Sequence, residues 1–448
     1  MRTPLRENSP SDRVKNFSEV SLGYNEGEAL KEAERCLQCK NPLCVDGCPA
    51  RIDIPGFIKL IKNKKYPEAL EKIKENNNLP GVCGRVCPHE TQCELKCILK
   101  PKKEQISIAA LERFAADNGG KQKIPKIKKL KKKVAVVGSG PASLTCAADL
   151  SLRGYNVTIY EALHKPGGVL QYGIPEFRLP RKILREEIEY IKKLGVKLVV
   201  DFVVGKSAKI SEISNDYDAI FIGTGAGLPR FMGIPGEELN NVYSANEFLV
   251  RVNLMKAHKF PEYHTPVKKG SKVIVIGGGN VAIDAARVAK RLGAEVTILY
   301  RRSFDEMPAK VSEVRHAQEE GIEFLMLTLP LKIIGGEEVK GVECVQMRLG
   351  EEDETGRKEP IPIEGTELTL ECDQVVMAIG QTPNPTIAKT KEVMVGGRGQ
   401  IIVNENMQSS MENVFAGGDA ISGSATVIKA IGDGKKAAAK IDEFLKKK

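Results

Sequence analysis

The 448-residue sequence lacks several things, and each absence narrows the reading. No run approaches the ~20 apolar residues of a membrane span, so no spanning helix is expected. The opening Met1-Arg2-Thr3-Pro4-Leu5-Arg6 has no apolar signal region, and a cytoplasmic chain is expected. Aromatic residues make up only 5% of the chain. With no matching motif either, nucleic acid is excluded as the expected partner. Histidines number five, and none falls in a motif. No acid–base catalytic residue is therefore named. Charge is not scarce: the net charge is +10, much of it in lysine runs. Lys128-Lys129-Leu130-Lys131-Lys132-Lys133 and the tail Lys446-Lys447-Lys448 read as solvated linker and surface. The sharper alternative is docking of an acidic partner such as a small electron carrier.

Cysteine is not scarce either, and it is not scattered. Of eleven cysteines, eight fall between Cys36 and Cys97. A disulfide framework belongs to secreted chains, so clustering here points to metal. The first group is Cys36, Cys39, Cys44 and Cys48, followed by Pro49. The second is Cys83, Cys87, Cys93 and Cys97, with Pro88 after Cys87. Two sets, each with a Cys-Pro, resemble the ferredoxin pattern for paired [4Fe–4S] clusters. A zinc ribbon would prefer two x2 pairs, and only Cys36 and Cys39 fit that spacing. The surrounding stretch reads as short helices, with apolar spacing over Ile54 to Asn76 broken near Pro67, and others over Glu26 to Arg35 and Ile106 to Asp117. Its core looks too thin to stand without metal.

From Val134 to Glu161 the pattern changes. Four apolar strand formers lead into Gly138-x-Gly140-Pro141-Ala142-Ser143, which opens a helix. A second strand then ends on Glu161. This is a dinucleotide-binding βαβ unit. Gly138 makes the tight turn, and Gly140 lets a pyrophosphate approach the helix N-terminus. Ser143 stands where a third glycine is usual, and it is small. Glu161 can accept hydrogen bonds from a ribose.

A second unit begins at Lys272 and echoes the first, with Gly277, Gly279, Asn280 and Val281 at its turn. It ends on Arg301 and Arg302 where the first ends on an acid. A carboxylate there suits a free 2′-hydroxyl, whereas a guanidinium pair suits a 2′-phosphate. The second nucleotide is therefore expected to be NADP(H). Neither unit contains a Cys-x-x-Cys, which excludes dithiol chemistry beside a flavin. Electrons must leave through clusters or through another subunit.

The plan expected is α/β: two Rossmann-like dinucleotide-binding domains preceded by a small all-α iron–sulfur domain. The helical domain spans 1–125. The first nucleotide domain spans 126–245 and 375–448, with the second, 246–374, inserted in it. Strands are expected near Phe324–Leu327, Gly341–Leu349, Leu368–Glu371 and Gln374–Gly380, with a polar loop over Gly350 to Lys358. A closing helix starts near Thr426.

The cysteine block, the Gly-Ser-Gly-Pro-Ala turn, Pro166-Gly167-Gly168-Val169-Leu170 running on to Pro180, the second unit and the closing Ala416-Gly417-Gly418-Asp419 together resemble the small-subunit family of NADPH-dependent glutamate synthase. That circle includes the N-terminal half of dihydropyrimidine dehydrogenase and the large subunit of the electron-bifurcating NADH-dependent ferredoxin:NADP oxidoreductase. The stretch Val242 to Val267 looks closest to that bifurcating subunit and to homotetrameric glutamate synthase. The resemblance implies FAD in the first unit, near Gly168, Leu170, Thr224, Gly225 and Gly418. Asp419 would meet the ribityl chain or a hydroxyl, and backbone around Thr426 would face the ring. It implies one cluster on Cys36, Cys39, Cys44 and Cys97. The other cluster would rest on Cys48, Cys87, Cys93 and Glu112. Cys83 is left over, with Cys146, Cys344 and Cys372 as core thiols. The chain would move hydride between NADP(H) and flavin, and single electrons between flavin and clusters. Two partners are implied: a smaller flavin subunit with ferredoxin, or a glutamate-forming subunit.

Overall fold

The structure is a computed structural model that describes residues 1–268, 270–353 and 356–447. Residues 354 and 355 of the expected polar loop, and Lys448 of the basic tail, lie outside the described residues. Among the described residues, no helix is long and apolar enough to cross a membrane.

The strand Lys133–Val137 is apolar and buried along nearly its whole length, as a parallel strand covered on both faces must be. It sits at the centre of a five-stranded sheet with Asn156–Tyr160 and Lys197–Val199 on one side. Ala219–Ile222 and Val414–Ala416 lie on the other side, all parallel. The last of these comes from near the end of the chain. The second nucleotide unit is therefore enclosed within the first.

A second parallel sheet is ordered Glu323–Met326, Glu295–Tyr300, Lys272–Ile276, Gln374–Met377, Val242–Ser244. This moves the expected boundaries. The strands at 242–244 and 374–377 belong to the inserted module, not to the first one. A short, wholly buried strand such as Gln374–Met377 fits either sheet, and only its pairing with Val273–Ile276 decides. The true crossing is a pair of short antiparallel strands, Ala226–Pro229 and Gln381–Pro383. An antiparallel sheet built from Thr328–Gly335, Val339–Glu352, Lys358–Pro362 and Leu368–Glu371 caps the inserted module.

The cysteine block is helical, as its spacing predicts. Glu26–Glu34 opens with a capping box from Asn25 and Glu28. Ile54–Lys62 is capped by Asp53, and Tyr66–Lys74 follows after the expected break. Pro80–Val86 and Ile108–Asn118 complete it. Its core is not separate, however. Phe57, Ile61, Leu111 and Phe114 lie in one continuous apolar cluster with Val136, Leu150, Ile159 and Ile431 of the first nucleotide module. The thin helical core is completed by its neighbour as well as by any metal. Residues before Asn25 do something the sequence did not suggest: Val20 is buried in the core of the inserted module.

Candidate functional site

The first turn is built for close approach. Gly138 has φ +90°, and a Cβ there would lie 2.6 Å from the Gly223 carbonyl oxygen. Nothing lies within 4 Å of a Cβ added at Gly140. The helix Pro141–Leu152 starts there with no side chain capping its N–H groups. Free donors beside open space are what a pyrophosphate needs. Ala142 sits in the first turn of that helix, buried against Gly418. Glu161 is buried and accepts from the Ser139 hydroxyl and from Leu163 N at 2.8 Å. Ser139 accepts in turn from Gly167 N at 2.9 Å, which ties the Gly167-Gly168 loop to the turn. Sequence reasoning passed over Ser139 because it occupies the free position between two motif glycines.

Leu170 is fully buried, and its carbonyl accepts from Arg181 at 2.7 Å. Thr224 and Gly225 are half-buried in the loop after Ala219–Ile222. Asp419 accepts from Ala425 N at 3.2 Å. Burial pushes its carboxyl up to about 6, against the pull of the Ala425 N–H and Lys429, with Asp433 adding to the push. Asp433 accepts from Gly418 N at 3.2 Å and was not foreseen. Nor was Tyr172, whose hydroxyl is pushed up to about 12 by burial and by the nearby Glu161 and Asp419. These groups from four separate stretches converge at one end of the first sheet.

The second turn repeats the design. Gly277 has φ +142°, and a Cβ would meet the Ala378 carbonyl oxygen at 2.4 Å. Gly279 faces open space, and the helix Asn280–Arg291 starts uncapped behind it. Asn280 accepts from Lys310 N at 2.9 Å, and Val281 is exposed. The two arginines part company here. Arg301 is exposed. Arg302 is buried, with Nη2 on Asp353 at 2.5 Å and Nε on the Lys358 carbonyl at 2.8 Å. Arg302 is thus engaged by the polar loop, which adjacency in sequence could not reveal.

The cysteines form two sets. Cys48, Cys87, Cys93 and Glu112 line one small cavity with His89, Gln92 and Ile428. Glu112 is buried and accepts from Asn77 Nδ2 at 2.9 Å, with His89 Nε2 at 3.3 Å. Burial opposes charge on His89, but the hydrogen bond to Glu112 and the nearby Cys87, Glu112 and Glu94 together raise the ring to about 9. The other His89 nitrogen meets the Cys87 carbonyl at 2.9 Å. Cys36, Cys39, Cys44 and Cys97 form the second set and are half-buried. Burial, with Cys36, Cys97 and Cys39 close by, pushes the Cys44 thiol up to about 12. Cys83 is fully buried and in hydrogen-bond contact with Cys87, one helical turn away. Cys146, Cys344 and Cys372 are buried elsewhere.

Spacing tests what such donors could hold. Zn–S bonds of 2.3 Å in a tetrahedron would put sulfurs about 3.8 Å apart. Among the described residues, no three cysteine sulfurs, alone or with a carboxylate or imidazole, lie within 4.8 Å of one another. Soft anionic donors gathered but held apart fit a cluster, where each ligand takes its own iron, better than a single ion.

Residues 132–434 match the family described as pyridine nucleotide-disulphide oxidoreductase. Residues 13–124 match dihydropyrimidine dehydrogenase domain II, 4Fe-4S cluster. NADPH-Fe(3+) oxidoreductase subunit beta of Geobacter sulfurreducens is 39% identical over 97% of this chain and 68% of its own length. Glutamate synthase [NADPH] small chain of Escherichia coli is 35% identical over 96% of this chain and 94% of its own. NADP(+)-dependent formate dehydrogenase subunit beta of Moorella thermoacetica is 40% identical over 90% of this chain and 60% of its own. In fold, the chain is similar to FprA of Mycobacterium tuberculosis, solved with NADPH. That likeness has a TM-score of 0.61 at 21% identity, over 70% of this chain and 85% of that one. Two nucleotide turns on parallel sheets, behind a cysteine-rich helical block, define a pyridine-nucleotide oxidoreductase with an iron–sulfur domain. The chain belongs to the pyridine nucleotide-disulphide oxidoreductase family, among the relatives of NADPH-dependent glutamate synthase small chains.

Proposed function

We propose that this chain draws electrons from NADPH and passes them through FAD and two [4Fe–4S] clusters to a partner subunit. Bound in their sites, the cofactors supply the redox chemistry: hydride exchange between nicotinamide and flavin, and one-electron exchange between flavin and iron. The residues supply position. The turn from Gly138 to Ala142, with Glu161, Gly168, Leu170, Thr224, Gly225, Asp419 and Thr426, would hold FAD. The turn at Gly277, Gly279, Asn280 and Val281 would hold NADP(H), with exposed Arg301 reading the 2′-phosphate and Arg302 bracing the loop behind it.

One observation carries the order of the sites. Ile428 lines the cavity of Cys48, Cys87, Cys93 and Glu112, two residues from Thr426. Gln92, beside Cys93, donates to the Thr426 hydroxyl at 3.2 Å. The buried set therefore abuts the flavin end of the first module. The half-buried set faces outward, beside Leu37, Leu43, Leu95 and Ile98, each more than two fifths exposed. Lys40 and Lys96 are exposed among them. An apolar patch with a basic rim suits a partner that takes electrons from that set.

The patch and the net positive charge support a smaller flavin subunit working with ferredoxin, an acidic one-electron carrier, as in electron-bifurcating enzymes. The second reading is a glutamate-forming partner. It is favoured by the match to glutamate synthase small chains, which covers 94% of their length.

Anaerobically purified protein should carry about eight irons per chain, as two four-iron clusters require. Zinc without iron would reject the reading. Arg301→Glu should weaken NADPH far more than NADH, by roughly tenfold to a hundredfold for a charge-assisted contact of about 1.5–3 kcal/mol. Equal losses would show that Arg301 does not read the phosphate. Arg302→Ser should instead loosen the Asp353 loop and lower stability.

A further inference from the structure

The stretch that carries Gly168 and Leu170 toward the first turn does not stop there. After the helix Val169–Tyr172 it runs on as Pro175-Glu176-Phe177-Arg178, and its last two side chains leave the first module. Phe177 is fully buried in the core of the inserted module. Its ring lies under two guanidiniums, Arg287 at 4.7 Å and Arg291 at 3.8 Å. Both belong to the helix Asn280–Arg291, whose N-terminus opens the second nucleotide turn. Arg178 reaches the same helix nearer that turn. Its Nη1 contacts both oxygens of Asp284, at 2.7 and 2.6 Å, and its Nε lies 3.4 Å from Glu313. Asp284 sits one helical turn after Asn280.

The ionic groups continue inward. Glu313 pairs with Arg287, and Glu320 takes Arg287 at 2.7 Å and Arg291 at 2.8 Å. The N-terminal segment closes the far side. Arg13 meets Glu320 at 3.0 Å, Phe17 packs against Phe177, and Val20 N donates to the Phe177 carbonyl at 3.0 Å. A buried cation without its partner is costly, so each arginine here admits few alternative placements of the carboxylate opposite.

We infer that Phe177 and Arg178 are positioning residues for hydride transfer: they fix the NADP(H)-binding helix against the flavin-binding loop in one orientation. They touch neither turn. They act through the Asn280–Arg291 helix, which is grasped from the side by the loop that also shapes the flavin site. The inference rests on the reading that the second turn holds NADP(H). The N-terminal segment holds the grasp shut from outside.

The test uses the cofactor-loaded full chain, with Arg178→Lys and the pair Arg178→Met with Asp284→Leu. The pair leaves no unpaired buried charge. Three quantities are read: the NADP+ dissociation constant, the rate of flavin bleaching by NADPH in single turnover, and amide hydrogen exchange over 280–291 and 311–319. The dissociation constant should stay within about twofold of wild type. Flavin bleaching should slow at least about tenfold in the pair, given that a 1 Å misplacement can cost ~100-fold. Arg178→Lys, which keeps the charge but loses the planar guanidinium, should slow it less. Exchange over both helices should rise in the cofactor-free chain as well. Bleaching at the wild-type rate in the pair overturns the inference. So does a loss of nucleotide affinity as large as the loss of rate, which would make Arg178 a binding residue. If wild-type protein bound no NADP+, the reading of the second turn would fail instead, and that outcome is separate from these.

Discussion

The two cysteine sets are drawn from the same sixty-odd residues, yet they inhabit different surroundings. Cys48, Cys87 and Cys93 are buried, and their fourth neighbour is a carboxylate held by Asn77 and His89. Cys36, Cys39, Cys44 and Cys97 are half-buried, all sulfur, and ringed by exposed leucine, isoleucine and lysine. One set is walled by the closing helix of the flavin module, and the other looks outward. Burial, hydrogen bonding and ligand type are the levers that set a cluster's potential. The two sets differ in all three. With one cluster on each set, as proposed above, the contrast would make a relay with a protected inner station and an accessible outer one.

The strongest way to break the comparison is to remove one thiol from each set. Cys87→Ser should cost iron and also roughly 3–5 kcal/mol of stability, because its set lies inside the core shared with the flavin module. Cys39→Ser should cost a similar amount of iron but only about 1 kcal/mol. Iron analysis beside thermal unfolding measures both, and equal stability losses would erase the distinction.

Glu112→Ala sharpens the contrast at the ligand itself. It strands the Asn77 and His89 donors, at about 1–3 kcal/mol. One reduced-cluster signal in electron paramagnetic resonance should change while the other persists, and flavin bleaching by NADPH should continue. Two unchanged signals would remove Glu112 from the ligand set, and Cys83, in contact with Cys87, would be the next residue to test.

The smallest effect belongs to the outer face. Leu37→Asp with Lys40→Glu should leave iron, FAD and stability at wild-type levels. Electron delivery to an acidic one-electron carrier should slow by about two- to fivefold at low salt, since rim charges act mainly on encounter. An undiminished rate would place the docking surface elsewhere.

Much of this was legible in the sequence because it is local. The glycine turns, the strands feeding them and the helices behind them are written in consecutive residues, and the structure gives both Gly138 and Gly277 a positive φ. What escaped was long-range. Arg13 belongs to no motif in the sequence, yet it is buried against Glu320. Arg301 and Arg302 read as a pair, yet one faces out and the other is bound to Asp353. Ser139 and Tyr172 stand within sequence motifs but at positions to which those motifs give no role, Asp433 stands outside them, and all three gather around the first nucleotide turn. The boundary expected at 375 cuts through the strand Gln374–Met377, which pairs wholly within the inserted module's sheet, because burial on both faces looks alike in either sheet.

The helix Val427–Lys447 is translated long after Cys48, and it supplies a wall of the inner cysteine cavity. A Cβ at Gly432 would lie 2.8 Å from the carbonyl oxygen of Pro49, so that wall presses directly on the Cys48 loop. At ~5–20 residues per second, Cys48 would wait on the order of twenty to eighty seconds for Ile428 to be synthesised. Once Cys97 has been made, the outer cysteines would be available to iron for the rest of that interval while the inner set stands open on one side. Inner-cluster insertion would then be a late, post-translational event, and a ribosome stalled before residue 427 would display a nascent chain able to mature only its outer site.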